Sequence, residues 1–310
     1  MDVTTKVFVM IIDSILINKF KNNLNQSVNL SNYSWFNLGG KAEYFFKANN
    51  LIHLEEFLKE TKKINLKTTI LGAGSNTLFR DNGVKGAVIK LGKNFSYTKL
   101  IDKNIIEVGA ATLDRKVANF AKDNNLGNLE FLSCIPGSFG GSIMMNSGCY
   151  DNDISKILVS VNVIDKNKLL KKEIKKENIK FSYRGTDLSE DLIIISAKIK
   201  GNIGKKNEIE KKQTELIERK KMSQPSQIKT CGSTFKNISK DKKAWMLIKE
   251  AGCENFKEGD AMISQKHCNF FINGGKAKSS DIETLIKRVK KKVYEKTGVN
   301  LQLEIKIIGE

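Results

Sequence analysis

The sequence predicts an α+β protein built in two parts, and three observations lead there. Short strand patterns recur between segments whose apolar residues fall at helical spacing. Two glycine-rich segments interrupt those patterns. A charged stretch, residues 198–221, is the best internal boundary in a chain of 310 residues, long enough for two domains and a substantial core.

At the N-terminus, the apolar stretch at residues 7–17 is interrupted by Asp13 and too short to span a bilayer. It follows Lys6 without a small-residue cleavage pattern, so a signal peptide fits poorly, no membrane insertion is expected, and the cytoplasm is the expected location. A helix starting near Met10 would pack Ile11, Ile12, Ile15 and Leu16, with residues 1–9 as an extension. Asn37, Leu38, Gly39 and Gly40 then precede a strand at 42–46. Residues 51–59 read as a helix with Leu54, Phe57 and Leu58 on one face and a solvated His53 on the other.

Residues 70–81, Ile-Leu-Gly-Ala-Gly-Ser-Asn-Thr-Leu-Phe-Arg-Asp, are the stretch around which the rest is organised. A β-branched run at 68–71 feeds directly into Gly72, Ala73 and Gly74, followed by Ser75, Asn76 and Thr77. Glycines let the main chain approach a ligand closely and turn its N–H groups one way, while the hydroxyls and amide add donors. Such a loop suits phosphate, although it has neither a third glycine opening a helix nor a Gly-Lys-Ser/Thr ending; a plain glycine-rich hairpin is the alternative. Asp81, Asn82 and Gly83 make a turn into a strand at 86–91.

A strand at 105–108 leads to a helix with Thr112 as N-cap, packing Leu113, Val117, Phe120 and Ala121 and stopping at Gly127. The second glycine-rich segment, residues 129–148, holds Ile135, Pro136, Gly137, Ser138, Gly140, Gly141, Asn146 and Gly148 among apolar side chains. It reads as backbone laid against a large flat ligand, with Ile143, Met144 and Met145 as walls; a tight turn packed on the core is the alternative.

Strands follow at 158–164, after a turn at 165–168, and at 192–199, with Phe181-Ser182-Tyr183-Arg184-Gly185-Thr186 between them. The charged stretch is partly a helix presenting Ile209, Leu216 and Ile217. Beyond it come Gly232-Ser233-Thr234-Phe235-Lys236-Asn237, a helix at 242–251 closed by Gly252, and strands at 261–264 and 269–272 flanking His267. Ser280 with Glu283 reads as a capping box for a long helix carrying Ile282, Leu285, Ile286, Val289 and Val293, which Gly298 ends. The last strand alternates Leu301, Leu303, Ile305 and Ile307 inward with Gln302, Glu304 and Lys306 outward, which places Glu304 on a polar face.

Lys+Arg 53 against Asp+Glu 34 gives a formal charge of +19, which suits an anionic partner. No basic run is interleaved with aromatics, so a nucleic-acid surface is not expected, and the field favours arrival of an anionic small molecule. The five cysteines show no Cys-x-x-Cys pair and no cluster with a histidine, so free thiols in a reducing compartment are expected and no metal site.

Seven pieces in one order carry a family resemblance: Asn37-Leu38-Gly39-Gly40, Gly72-Ala73-Gly74-Ser75-Asn76, Ile135-Pro136-Gly137-Ser138, Tyr183-Arg184, Gly232-Ser233-x-Phe235-Lys236-Asn237, His267-x-Asn269-Phe270 and Glu304-x-x-Ile307-Ile308-Gly309. Singly weak, together they make the chain resemble the UDP-N-acetylenolpyruvoylglucosamine reductases, the MurB-type flavoenzymes of peptidoglycan synthesis. Residues 1–33, ahead of the matching pieces, read as an N-terminal helix and extension, and the resemblance implies a two-lobed FAD-binding domain of the vanillyl-alcohol-oxidase type at 34–201. A smaller α/β substrate-binding domain at 206–310 would close over flavin and substrate.

By the same resemblance, Gly72 to Thr77 would hold the FAD pyrophosphate, and Ile135, Pro136, Gly137, Ser138, Gly140, Gly141, Asn146 and Gly148 would line the rest of the flavin. Arg184, Ser233 and Glu304 fall on the catalytic positions. Asn237 matches a residue that binds the sugar-nucleotide diphosphate, with Tyr183 and Lys221 as further substrate-side candidates; spacing does not choose between Lys220 and Lys221. Two departures are Ile238 and Leu303 where the family usually has proline. The short separation of Arg184 from Ser233 resembles the subtype without an inserted tyrosine-bearing loop.

The implied reaction passes hydride from NADPH to FAD and on to the enolpyruvyl group of UDP-N-acetylglucosamine enolpyruvate. Charge then builds beside the substrate carboxylate. Arg184 would stabilise it, a protonated Glu304 would donate to the enolate, and Ser233 would supply the final proton. From local sequence alone, Arg184 reads as an ion-pair residue, Ser233 as a turn hydroxyl and Glu304 as solvated, so the family match reverses all three. A flavin oxidase of the same fold and a basic nucleic-acid-binding protein are the other readings; a yellow preparation separates the second from both flavoenzymes.

Overall fold

The computed structural model describes residues 16–226 and 228–310. Most of the helix expected from Met10, and the extension before it, lie outside the described residues. Residues 16–20 are helical, and Leu16 and Phe20 are buried. Phe20 meets Phe46 and Phe57 edge-on at 5.4 and 5.3 Å, and those two rings stack at 3.8 Å. Aromatic burial of this size is a large part of what fixes a small subdomain.

That cluster lies on a sheet with strand order Leu24–Asn29, Lys41–Ala48, Val84–Leu91 and Thr68–Leu71. The first pair is antiparallel and the others parallel. The helix Leu51–Lys63 buries Leu54, Phe57 and Leu58 as expected, and starts at Asn50, whose side chain accepts from the His53 N–H at 2.9 Å.

A second, antiparallel sheet runs in the order Lys171–Lys175, Leu158–Asp165, Leu192–Lys200, Ile105–Gly109 and Thr98–Asp102. Its core joins Val161, Val163 and Ala197 to Val117 and Ala121 of the helix Asp114–Asp123, and to Phe139 and Ile143. This helix starts later than expected. Leu113, not Thr112, stands at the N-cap and is exposed, because the Thr112 hydroxyl donates to the Tyr97 carbonyl at 2.9 Å instead of to a helix start.

The second glycine-rich segment also contains a short helix, Phe139–Met144, where sequence suggested only turn-like backbone. Gly140 makes it fit: a Cβ there would meet the Ala110 Cβ at 3.0 Å. The charged stretch yields the helix Lys206–Ser223, which packs on the N-terminal part through buried Ile209 and partly buried Leu216. Lys122–Glu210, Lys206–Asp123 and Lys212–Glu130 ion pairs flank that contact.

The C-terminal part packs the helices Ala244–Glu250 and Ser279–Thr297 against strands Ala261–Ile263 and Phe271–Asn273. Its core also takes in Phe36, Leu38 and Leu78, so the two parts share one apolar seam. The expected Ser280–Glu283 capping box does not form. The helix starts at Ser279, and Asp81, far away in sequence, accepts from the Ser279 and Ser280 N–H groups at 2.8 and 2.9 Å. Glu283 pairs with Arg80 instead, at 2.9 Å. Gly298 closes the helix in left-handed backbone as expected.

The last expected strand is shorter, Lys306–Ile308, and runs parallel to Thr77–Phe79 directly after the first glycine loop. The strict inward–outward alternation therefore breaks at Glu304, which turns into the interior instead of facing water. No helix among the described residues is long and apolar enough to cross a membrane.

Candidate active site

Where strand Thr68–Leu71 ends, Gly72 to Thr77 turn along the wall of a cavity of about 1800 Å³ between the two parts of the molecule. Glycine is required at position 74 of this wall, and Gly72 leaves room for Ser138. Gly74 has φ +70°, and a Cβ on it would lie 1.8 Å from the Tyr33 carbonyl oxygen; a Cβ on Gly72 would lie 2.6 Å from Ser138 Oγ. Lys90, from the neighbouring strand, donates to the Gly72 carbonyl at 2.6 Å and holds that peptide in place. Burial lowers the Lys90 pKa.

The second glycine-rich segment adjoins the first and continues the wall. Ile135, Pro136, Gly137, Ser138, Gly140, Gly141 and Gly148 line the cavity, with Met144 and Met145 as apolar surface. Asn146 does not line it. Its Nδ2 donates to the Ser182 carbonyl at 3.1 Å and its Oδ1 accepts from the Ser155 N–H at 3.0 Å, so it positions the hairpin that carries Arg184.

That hairpin pairs Phe181–Ser182 with Gly185–Thr186 and leaves Tyr183 and Arg184 as its two-residue loop, Arg184 in left-handed backbone at φ 57°. Arg184 Nε donates to Glu304 Oε1 at 2.8 Å, with the side chains only 23% and 16% exposed. Burial pushes the Glu304 carboxyl above its ordinary range, against the pull of Arg184. For Arg184 burial acts downward, but the charge of Glu304 and its neighbours holds the guanidinium above its ordinary value.

Ser233 reaches the same place from a third direction. Cys231 is buried and donates to the Thr77 carbonyl at 3.4 Å, which ties its segment to the glycine loop. Ser233 bridges to Phe270, and the Glu304 N–H donates to the Thr234 carbonyl at 2.9 Å. Asn76 completes the junction: its Nδ2 donates to the Glu304 carbonyl at 2.9 Å and its own carbonyl accepts from the Lys306 N–H at 2.9 Å. Arg184, Ser233 and Glu304 all line the cavity.

Of the substrate-side candidates, Asn237 lines the cavity, whereas Tyr183 does not line it and is exposed, its hydroxyl accepting from Asn237 Nδ2 at 3.2 Å. Lys221 is exposed and does not line the cavity; of the two, Lys220 does, donating to the Cys134 carbonyl, its pKa lowered by burial. Helical spacing decides this, since Lys220 shares the inward side of its helix with Gln213 and Leu216. Sequence reasoning also missed Lys90, Trp35, Trp245 and His267 as wall residues. Of these, only His267 carried a signal, as part of the motif His267-x-Asn269-Phe270.

Comparison with known proteins assigns each part of the chain to a family. Residues 42–169 match an FAD-binding domain family, and residues 224–308 match the C-terminal domain of UDP-N-acetylenolpyruvoylglucosamine reductase. A UDP-N-acetylenolpyruvoylglucosamine reductase from Pelagibacter ubique is 45% identical over 301 residues, covering 94% of this chain and 98% of the relative. The chain belongs to the UDP-N-acetylenolpyruvoylglucosamine reductase family. A reductase from Rickettsia prowazekii is 40% identical over 290 residues, 94% of this chain and 97% of that one. The crystal structure of the Thermus caldophilus reductase of this family superposes with a TM-score of 0.78 at 29% identity, covering 92% of this chain and 98% of that one. Membership makes the chain an FAD-dependent oxidoreductase of peptidoglycan synthesis, in the α+β arrangement of an FAD-binding domain and a C-terminal reductase domain expected from the sequence.

Proposed function

We propose that the protein uses NADPH and FAD to reduce the enolpyruvyl group of UDP-N-acetylglucosamine enolpyruvate, giving UDP-N-acetylmuramate. The observation that carries this reading is the Arg184–Glu304 pair at 2.8 Å on the wall of a cavity that Ser233 also lines, with the Glu304 N–H bonded to the carbonyl of the next residue, Thr234. The residues present fit FAD: backbone of two glycine-rich segments lines the cavity, with the Ser75 and Thr77 hydroxyls and the Asn76 amide as polar groups beside it. Gly72 to Thr77 and Ile135 to Gly141 would hold the cofactor, which supplies two-electron hydride chemistry when bound.

The chain's own residues do the rest. Arg184 offers a permanent cation with paired donors that match the substrate carboxylate. When that carboxylate arrives, two acidic groups compete for one guanidinium in a poorly solvated place. Repulsion then pushes the already raised Glu304 further toward its protonated form. A neutral Glu304 can donate to the enolate oxygen as negative charge develops there. Ser233 Oγ–H gives its proton to the carbon bearing the carboxylate, a transfer driven by the basicity of that carbon. Asn76 holds Glu304 by its carbonyl, and Asn237 holds Tyr183, so the donors approach from both parts of the molecule.

The test is the two half-reactions under anaerobic conditions. NADPH should bleach a yellow preparation, and the enolpyruvyl sugar nucleotide should restore the colour with one equivalent of product. Reoxidation by oxygen alone, with the sugar nucleotide inert, would favour an oxidase of the same fold and end this reading.

A further inference from the structure

We infer that Trp245, steadied by His267, is the seat of the substrate's uracil base; this rests on the proposed function and deepens it. The cavity extends beyond the catalytic groups into the C-terminal part, where Trp245, His267, Lys249, Asn255 and Gln265 line it. Trp245 is half-buried, with its ring centroid 6.4 Å from that of His267 at a tilt of 60°. Behind it, His267 meets the buried Phe270 edge-on at 4.7 Å. The aromatic group is therefore braced from the core side, and a braced ring loses little freedom when a ligand stacks on it.

The hydrogen bonding around this platform suits a base edge. His267 Nδ1 accepts from the Asn269 N–H at 3.3 Å, which leaves Nε2 as the ring's N–H donor. Burial lowers the His267 pKa, so the ring stays neutral at neutral pH. Gln265 Nε2 donates to Asn255 Oδ1 at 3.2 Å, and this exposed amide pair keeps further donors and acceptors for a pyrimidine's carbonyls and N–H.

The order of groups along the cavity matches the order of groups along the substrate. Asn237 Nδ2 donates to the hydroxyl of Tyr183, the neighbour of Arg184, and its Oδ1 accepts from the Ala244 N–H at 3.1 Å, immediately before Trp245. Arg184 therefore leads to Trp245 through two side chains, those of Tyr183 and Asn237. A sugar nucleotide with its carboxylate on Arg184 lays its diphosphate past Asn237 and Lys243 and brings its base to Trp245.

Two tryptophans occur in the chain, Trp35 and Trp245, which makes a fluorescence test selective. In FAD-loaded Trp35→Phe, UDP should quench the remaining tryptophan saturably while AMP does not; in Trp245→Phe, UDP should leave the emission of Trp35 unchanged. In steady state, Trp245→Ala should raise KM for the enolpyruvyl substrate about tenfold or more with kcat within about twofold, and Trp245→Phe should recover most of the loss. Flavin content reports whether each variant has folded. A wild-type protein that turns over its substrate, with Trp245 unquenched by UDP and KM unmoved in Trp245→Ala, overturns the inference. Quenching by UDP in a protein inert toward the enolpyruvyl substrate would keep the base seat and end the functional reading instead; absence of both ends both.

Discussion

Arg184 adopts left-handed backbone at φ 57°, a conformation that costs a residue with a Cβ about 1 kcal/mol or more. The hairpin, anchored through Asn146, holds it there and aims the guanidinium at Glu304. Neither fact is written in the sequence near Arg184. Its neighbours Tyr183 and Gly185 suggest a turn, but its partner lies 120 residues on, and only the order of motifs links the two. Glu304 shows the same limit more sharply. Alternating apolar residues around it predict a solvated face, and the chain instead leaves strand geometry until Lys306 and turns the carboxyl inward. Since burial raises the Glu304 pKa, its proton is retained below the raised value and lost as pH rises through it. Single-turnover reduction of the enolpyruvyl substrate should therefore fall on the alkaline side of that value. Glu304→Gln, which keeps a donor, should abolish this limb and stay within about tenfold of wild type, while Glu304→Ala should lose on the order of 100-fold or more. A glutamine variant no better than alanine would show that donation is not the role of Glu304.

Among the elements, those with a complete local signal were legible: the apolar face of Leu51–Lys63, the long helix with Gly298 at its end, and the strand running into the glycine loop. Misreadings occurred where the deciding contact comes from elsewhere. Ser280 and Glu283 have the spacing of a capping box, yet the donors of Ser279 and Ser280 are taken by Asp81, and Glu283 goes to Arg80. Helix Phe139–Met144 was hidden because Gly140 and Gly141 are poor helix formers, and the need for Gly140 lies in the closeness of Ala110, distant in sequence. Asp81 is where an element-level test belongs. Burial alone would raise its pKa, but the N–H groups of Ser280 and Ser279 outweigh this and lower it. Its stabilising effect is thus present above the ordinary aspartate range and lost as pH falls through the lowered value. Asp81→Ala should cost about 1–2 kcal/mol at neutral pH, read as a melting temperature a few degrees lower, with the difference from wild type shrinking in acid. An unchanged difference at low pH would mean that the carboxylate is not what caps the helix.

At the scale of the whole molecule, the site exists because the chain returns to its first glycine loop twice. Cys231 brings Ser233 back to Thr77, and Lys306–Ile308 brings Glu304 back to Asn76. Phe36, Leu38 and Leu78 pack in the core of the C-terminal part, so its position over the cavity is set by apolar burial as well as by these bonds. Composition could not foretell such a closure, because each half looks complete by itself; the succession of short motifs carried it. The formal charge of +19 is consistent with a polyanionic substrate and does not place any one residue, as the exchange of Lys221 for Lys220 on the cavity wall illustrates.

On the proposed function, this closure delivers a proton donor to the substrate and plays no part in charging the cofactor. Stopped-flow measurement of Ser233→Ala, with the two half-reactions followed separately through the flavin absorbance, tests it most directly. Reduction by NADPH should proceed at close to the wild-type rate, while reoxidation by the enolpyruvyl sugar nucleotide should slow by at least about 100-fold. Equal slowing of both half-reactions, or none of either, would contradict it.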